Sequence, residues 1–460
     1  MQNSPLFTAL FWGFLLSYGL IMWLISPKIT NVSSFFEGRD EKGNSVSSWL
    51  LITSIFISWI FAKSVTNAAN LGAVYGIVGG VAYAIYWLCI PVAGFALYRL
   101  RVKYGAKSLI GFLNSNYGKW ASIAFSVAIA IRLYNEIWSN TSVVGGYYGQ
   151  PGSASFITAA FVFTIATLLY SLKGGLRGSI ITDVAQALVF VIGIVWALGF
   201  VLPKHSLTQI LSTGTWSLGG GVDLLLVSCL QILSYPFHDP VLTDRGFLCR
   251  EKVMLKSFIV AGVLGFLAIL VFSFIGVYAN LEGIISNGNI PAQLASTMGV
   301  GAFFLMNIIM ITAAGSTLDS TFASVSKLVA YDFIKIFTPN LLKNALKFGM
   351  LSMIFIAVFG NLPMVMGTDI LKATTISGTM VMGLAPVFLL HGFVKPTSLS
   401  FHLSFWAGIA FGFIDMMGLA PEILSIGDGK YAKLLGINLY GLIVCSLLYI
   451  AGSKLQKGKI

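Results

Sequence analysis

Lys63, Arg132, Glu136, Asp183, Asp319 and Lys372 stand inside long apolar runs of this 460-residue sequence. In lipid such a side chain costs about 2.5–3.5 kcal/mol at the bilayer centre, so it pairs, binds or reaches for the surface. Arg132 and Glu136 are four residues apart and share one helical face, where they can form a structural ion pair or hold a polar ligand. Lys63 closes an apolar run and can either snorkel to the surface or act inside it. Asp183 and Asp319 have no basic residue in their own runs, which suits a cation. Elsewhere the run Gln231-Ile-Leu-Ser-Tyr235-Pro236-Phe-His238-Asp239-Pro240 gathers hydrogen-bonding groups around two prolines.

The elements that position these groups are membrane spans. Residues are 57% hydrophobic and 10% charged, against about 25% charged in soluble domains. Runs of about 20 apolar residues fall near 7–26, 49–69, 76–98, 120–144, 154–172, 179–202, 222–240, 257–279, 300–326, 348–366, 369–391, 402–419 and 433–452. The first lacks a basic leader and is too long for a cleaved signal, so it is expected to remain as a span. With the N-terminus outside, the loop lysines and arginines fall inside except Lys204, Lys430 and Lys433. That bias sets the orientation: N-terminus out, C-terminus in the cytoplasm, in the inner (plasma) membrane.

The formal net charge of +12 is spread over short loops rather than one face, which argues against nucleic acid as a partner. Cys89, Cys229, Cys249 and Cys445 show no ligand spacing, so neither disulfides nor a metal site beyond an alkali cation is expected. No paired acids, His/Glu metal motif or Ser/Lys dyad supports an enzyme, although His238-Asp239 is the nearest approach to one. No soluble output domain is apparent either, which disfavours a membrane sensor.

Two spans are interrupted. The second turns polar at Ala62–Asn70, and the seventh breaks at Pro236 and Pro240. Each opens a block of five spans, so the second block is inserted upside down relative to the first. Broken helices at matching places of inverted halves mark a midplane site. The expected organisation is a peripheral helix (1–30), a first five-helix repeat (31–202), a second inverted repeat (203–395), and two C-terminal helices with a short tail (396–460).

Four stretches resemble the sodium/solute symporter family: Phe35-Phe36-Glu37-Gly38-Arg39; Gly174-Gly175 through Thr182-Asp183 to Gln186; Arg245 after the seventh span; and Ala313-Ala314-Gly315-Ser316-Thr317-Leu318-Asp319-Ser320. The resemblance implies an all-α membrane protein of about thirteen helices with a LeuT-type 5+5 inverted-repeat core. It implies a co-transported sodium ion held by the carbonyls of Ile57, Ile60 and Ala313 and the hydroxyls of Ser316 and Thr317, with Asp183 nearby. Helix packing is the alternative role for the two hydroxyls.

The expected function is therefore sodium-coupled import of a small organic solute by alternating access. A proton-coupled or sodium-independent transporter, or a symporter-like sensor, is the alternative. Lys63, Ser64, Arg132, Glu136, Gln231, Tyr235, His238 and Lys372 are the expected solute residues. If Glu136 neutralises Arg132, Lys63 is left in surplus and favours a carboxylate-bearing solute. If Glu136 pairs with Lys63, the site suits a neutral polyol, sugar or urea-like molecule.

Overall fold

In the computed structural model, which describes residues 4–334, 338–366 and 377–456, helices carry the fold. They are α1 (Pro5–Ile25), α2 (Ser48–Ser58), α3 (Ala62–Tyr75), α4 (Ile77–Tyr104), α5 (Lys119–Tyr148), α6 (Ala154–Val201) and α7 (Val222–Gln231). Then come α8 (Glu251–Leu281), α9 (Val300–Lys327), α10 (Ala345–Phe359), α11 (Leu384–Leu389), α12 (Ser398–Met416) and α13 (Ala432–Leu455). Among the described residues eight helices are long and apolar enough to span a membrane, or nine when α2 and α3 are taken as one bent span. Most apolar side chains that stay exposed, such as Leu188, Val195, Leu264 and Leu447, lie on these helices. That is the surface expected where the surrounding medium is lipid.

Both interruptions are present. The axes of α2 and α3 differ by 59° across residues 59–61. No proline or glycine causes this break. Phe61 is extended (φ −73°, ψ 142°) and starts α3 without a side-chain cap, while the Ile60 amide turns back to the Ile57 carbonyl at 3.0 Å. Tertiary contacts, described below, satisfy the freed groups. The second break follows α7: Tyr235–His238 forms a single 3-10 turn, and the Asp239 carboxylate caps Val241 N at 3.0 Å. Here the prolines explain the break, because Pro236 and Pro240 supply no amide donors.

The expected spans 154–172 and 179–202 abut in the 48-residue α6. Its two parts meet at Gly175, whose φ of +52° and ψ of −147° lie outside the helical region. A side chain there is excluded twice, since a Cβ would also lie 2.6 Å from the Phe35 carbonyl oxygen. Close packing of α3 against α8 likewise needs Gly276, where a Cβ would run into the Ala69 carbonyl. Small residues at such crossings let helices approach in the absence of a hydrophobic driving force. The expected span 369–391 lies partly outside the described residues, and α11 is its described helix.

Gly175→Ala is expected to cost about 1–3 kcal/mol from backbone strain and to lower the thermal unfolding midpoint in detergent. An unchanged midpoint would show that the junction of the two α6 segments tolerates an ordinary residue.

Candidate functional site

The two breaks come together through buried charge. Lys63, at the start of α3, places its Nζ 2.5 Å from Glu136 Oε1 on α5 and 3.1 Å from Ser139 Oγ. Arg132, one turn before Glu136, pairs with the same carboxylate and donates from Nη2 to Asp239 Oδ2 at 2.9 Å. The Asn140 amide donates to Glu136 Oε2 at 3.0 Å. These four ionic side chains are at most 4% exposed. Two cations face two anions, so the group is neutral and joins α3, α5 and the second break. The surplus charge on Lys63 that favoured a carboxylate-bearing solute is therefore absent. The sequence offers Arg132 its local partner at i+4, but Asp239, 107 residues away, also takes it. Lys63 neither snorkels nor stands free.

Aromatic rings cover this quartet. The Phe61 ring centre lies 5.0 Å from Lys63 Nζ and 5.5 Å from the Arg132 guanidinium, which is also 5.4 Å from the Tyr235 ring. Trp59 packs at 5.7 Å from Phe61 and 6.1 Å edge-on to Tyr235. Such contacts place ring faces against desolvated cations, where the quadrupole is attractive.

A second buried cluster lies on the other side of the first break. Asp183 Oδ2 accepts from Ser54 Oγ at 2.5 Å, Ser58 Oγ at 3.1 Å and Arg245 Nη2 at 3.3 Å, while Oδ1 accepts from Ser316 Oγ at 2.5 Å. Arg245 also donates to Ser54, Ser58 and Ser320 at 2.8–2.9 Å and to the Val241 carbonyl. The sequence puts Arg245 in a cytoplasmic loop, but it is fully buried and supplies the basic partner Asp183 lacks in its own helix. Asp319 accepts from Ser179 at 2.7 Å and Thr182 at 3.0 Å, and Ser320 links it to Arg245.

Between the clusters, α9 meets the break itself. Thr317 Oγ1 lies 3.2 Å from the Ser58 carbonyl and 3.3 Å from the Ala313 carbonyl. The expected sodium residues Ala313, Ser316 and Thr317 thus face the first break, but the carbonyl nearest Thr317 belongs to Ser58. The Ile57 carbonyl takes the Ile60 amide, and Ile60 is buried in the same break. Asp183 spends its charge on Arg245 and its remaining lone pairs on serines.

The other expected solute residues are less gathered. Ser64 accepts from Tyr83 OH at 3.3 Å. His238 lies 2.6 Å from the Tyr235 carbonyl through Nδ1 and 3.2 Å from Ser377 Oγ through Nε2. Gln231 is turned toward Tyr86 OH at 2.7 Å and Asn438 Oδ1 at 3.1 Å, away from the quartet's hydrogen bonds. Lys372 lies outside the described residues. Sequence reasoning missed Asp239, Ser54, Ser58, Ser320, Ser139 and Asn140. The i, i+4 pairs Ser54/Ser58 and Ser316/Ser320 were a readable sign of two polar stripes meeting.

Among the described residues no group of three His, Cys, Asp or Glu could hold a metal ion, and the four cysteines are unpaired. An apolar groove of about 880 Å³ between α2, α6 and α8, lined by Trp49, Phe56, Leu188 and Leu264 among others, includes none of the polar residues above. It opens on exposed apolar surface, and its lining is almost wholly apolar.

Removing one member of a buried ion group leaves an uncompensated charge, at about 3–5 kcal/mol. Lys63→Met is expected to lose stability on that scale, and Lys63→Met with Glu136→Gln to regain at least half, because Arg132 then keeps Asp239. Thermal unfolding in detergent reads both. Equal losses in the single and double variants would contradict the coupling.

No protein-family model matches the chain. It is 23% identical over 156 residues to a urea active transporter of Saccharomyces cerevisiae, covering 33% of this chain and 21% of that protein. It is 23% identical over 214 residues to solute carrier family 5 member 4B of Mus musculus, covering 44% and 31%. The matched stretches thus span under a third of these relatives' lengths. Among solved structures, a Na+-coupled sialic acid symporter in a substrate-bound, outward-open state superposes with a TM-score of 0.75, 15% identity and 98% coverage of both chains. The all-α, LeuT-type class expected from the sequence is the fold of this and further transporter structures. The resemblance to the sodium/solute symporters is borne out: this multi-pass membrane chain is a homologue of a urea active transporter and of a solute carrier family 5 member.

Proposed function

We propose that the chain is a sodium-coupled symporter that imports a small organic solute by alternating access. The observation that carries this reading is the contact of Thr317 Oγ1 with the carbonyls of Ser58 and Ala313 at the first break. Sodium is a small hard cation that takes neutral oxygen dipoles, and a broken helix offers carbonyls no longer committed to a helical ladder. Ile57, Ile60, Ala313, Ser316 and Thr317 form its pocket, with Asp183, neutralised by Arg245, behind it as the acceptor that orients Ser316. Sodium coupling in the fold neighbour, the Na+-coupled sialic acid symporter, supports the same ion.

The two breaks open two oppositely inserted five-helix repeats, near 31–202 and 203–395. The N-terminus faces outward and the C-terminus the cytoplasm of the plasma membrane. One sodium ion moving inward through 100 mV contributes about 2.3 kcal/mol, enough for about fifty-fold accumulation of an uncharged solute. Nothing in either buried cluster supplies an activated nucleophile, which supports transport over catalysis.

Sodium titrations of the purified protein, read as thermal stabilisation over potassium, test the pocket. Thr317→Ala is expected to raise the half-saturating sodium concentration about tenfold, the loss of about one oxygen contact. Ser316→Ala is expected to raise it less, because its hydroxyl is already given to Asp183. Wild-type titration curves in both variants would remove these residues from the ion's surroundings.

A further inference from the structure

The quartet at the breaks is neutral, yet its surroundings hold polar atoms with no partner. The Trp59 indole Nε1 and the Arg132 Nε are buried donors that meet no acceptor. Asn140 Oδ1, one helical turn beyond Glu136, is a buried acceptor that meets no donor. Trp59 is 2% exposed and Arg132 3%, and Asn140 is fully buried. Such atoms are rare in folded proteins, because each forfeits about 1–3 kcal/mol of solvation.

They share one neighbourhood. Phe61 and Tyr235 contact both Trp59 and the Arg132 guanidinium, at 5.7 and 6.1 Å for the indole and 5.5 and 5.4 Å for the cation. Asn140 joins through Glu136, to which both it and Arg132 are bonded. Other buried atoms are unpartnered too, among them the indole nitrogen of Trp87, which packs edge-on to Trp59 at 6.4 Å and lies against Gly265 on α8.

We infer that these atoms receive the solute, and that the solute is a small uncharged amide or urea-type molecule. Its carbonyl oxygen accepts from Trp59 Nε1 and Arg132 Nε, and its N–H donates to Asn140 Oδ1. Its flat face lies against the Phe61 and Tyr235 rings, where planar groups stack favourably. The inference rests on the proposed symport function. Three features of the site select this class. A carboxylate would bring a buried charge to a group already balanced, at several kcal/mol. A sugar would bring many hydroxyls that each donate, against one unmet acceptor. Nor do rings packed edge-to-face at 5–6.4 Å leave room for a bulky ligand.

Equilibrium binding to the purified full chain, read as thermal stabilisation in sodium and in potassium, tests this with urea, acetamide, acetate and galactose as probes. Urea and acetamide are expected to stabilise in sodium only, while acetate and galactose do not. Trp59→Phe, which keeps a ring and deletes the donor, is expected to weaken the amides about tenfold, and Asn140→Leu to weaken urea similarly. Sodium-dependent stabilisation by acetate or galactose instead of the amides would overturn the solute class and leave the symport reading standing. Amide binding undiminished in both variants would overturn the assigned atoms. Sodium stabilisation with no response to any amide would overturn the class, and absence of any sodium response would overturn the symport reading with it.

Discussion

A charge removed from water among apolar helices must find its opposite inside the same bundle. Near the breaks of this protein two arrangements meet that requirement, and each ties elements that are far apart in sequence. Lys63, Arg132, Glu136 and Asp239 join the two interrupted helices to α5. Asp183 and Arg245 join α2, α6 and the segment after the second break, with Ser316 and Ser320 drawing in α9. Neither pairing is expected to add much net stability, since desolvation offsets most of the attraction. Their effect is to make one relative placement of the broken helices much better than its neighbours.

This placement explains how a helix breaks at residues 59–61 without proline or glycine. The Ser58 carbonyl is met by Thr317, its hydroxyl by Arg245 and Asp183, and the following turn is closed by the Lys63 contacts. A cation bound at the same carbonyls would compete with and reinforce these contacts at once. Ion occupancy is therefore coupled to the geometry of the break, and through Arg132 and Asp239 to the second break. Binding energy of this kind can shift a two-state equilibrium only by the difference in affinity between the states. In the proposed transport cycle the break is where that difference arises.

Much of this was legible in the sequence because lipid makes polarity conspicuous. The spans, the interruption at Pro236 and Pro240, and the ionisable residues inside apolar runs all stand out against a background of Leu, Val, Ile and Phe. The Arg132–Glu136 pair was readable from its i, i+4 spacing, and the Ala313–Ser320 stretch from its resemblance to known symporters. The partners of Asp183 and the sharing of Arg132 with Asp239 were not readable. Arg245 sits among polar loop residues in the chain, and only the path of the second break turns it inward. Lys63 had two rational partners, Glu136 or a solute, and choosing between them required knowing that Asp239 supplies the second negative charge. The i, i+4 spacing of Ser54/Ser58 and Ser316/Ser320 was visible, but not that Ser54, Ser58 and Ser320 all meet Arg245 where α2 and α9 come together.

The central claim is that an alkali cation sits where α9 meets the first break. Density maps of the protein purified in saturating sodium and in potassium test it most directly. The account predicts a sodium-dependent peak bounded by the carbonyls of the 57–60 segment and Ala313 and by the hydroxyls of Ser316 and Thr317, with Arg245 still paired to Asp183. A sodium map with no peak at that position, or a peak seated between Asp183 and a displaced Arg245, would contradict it.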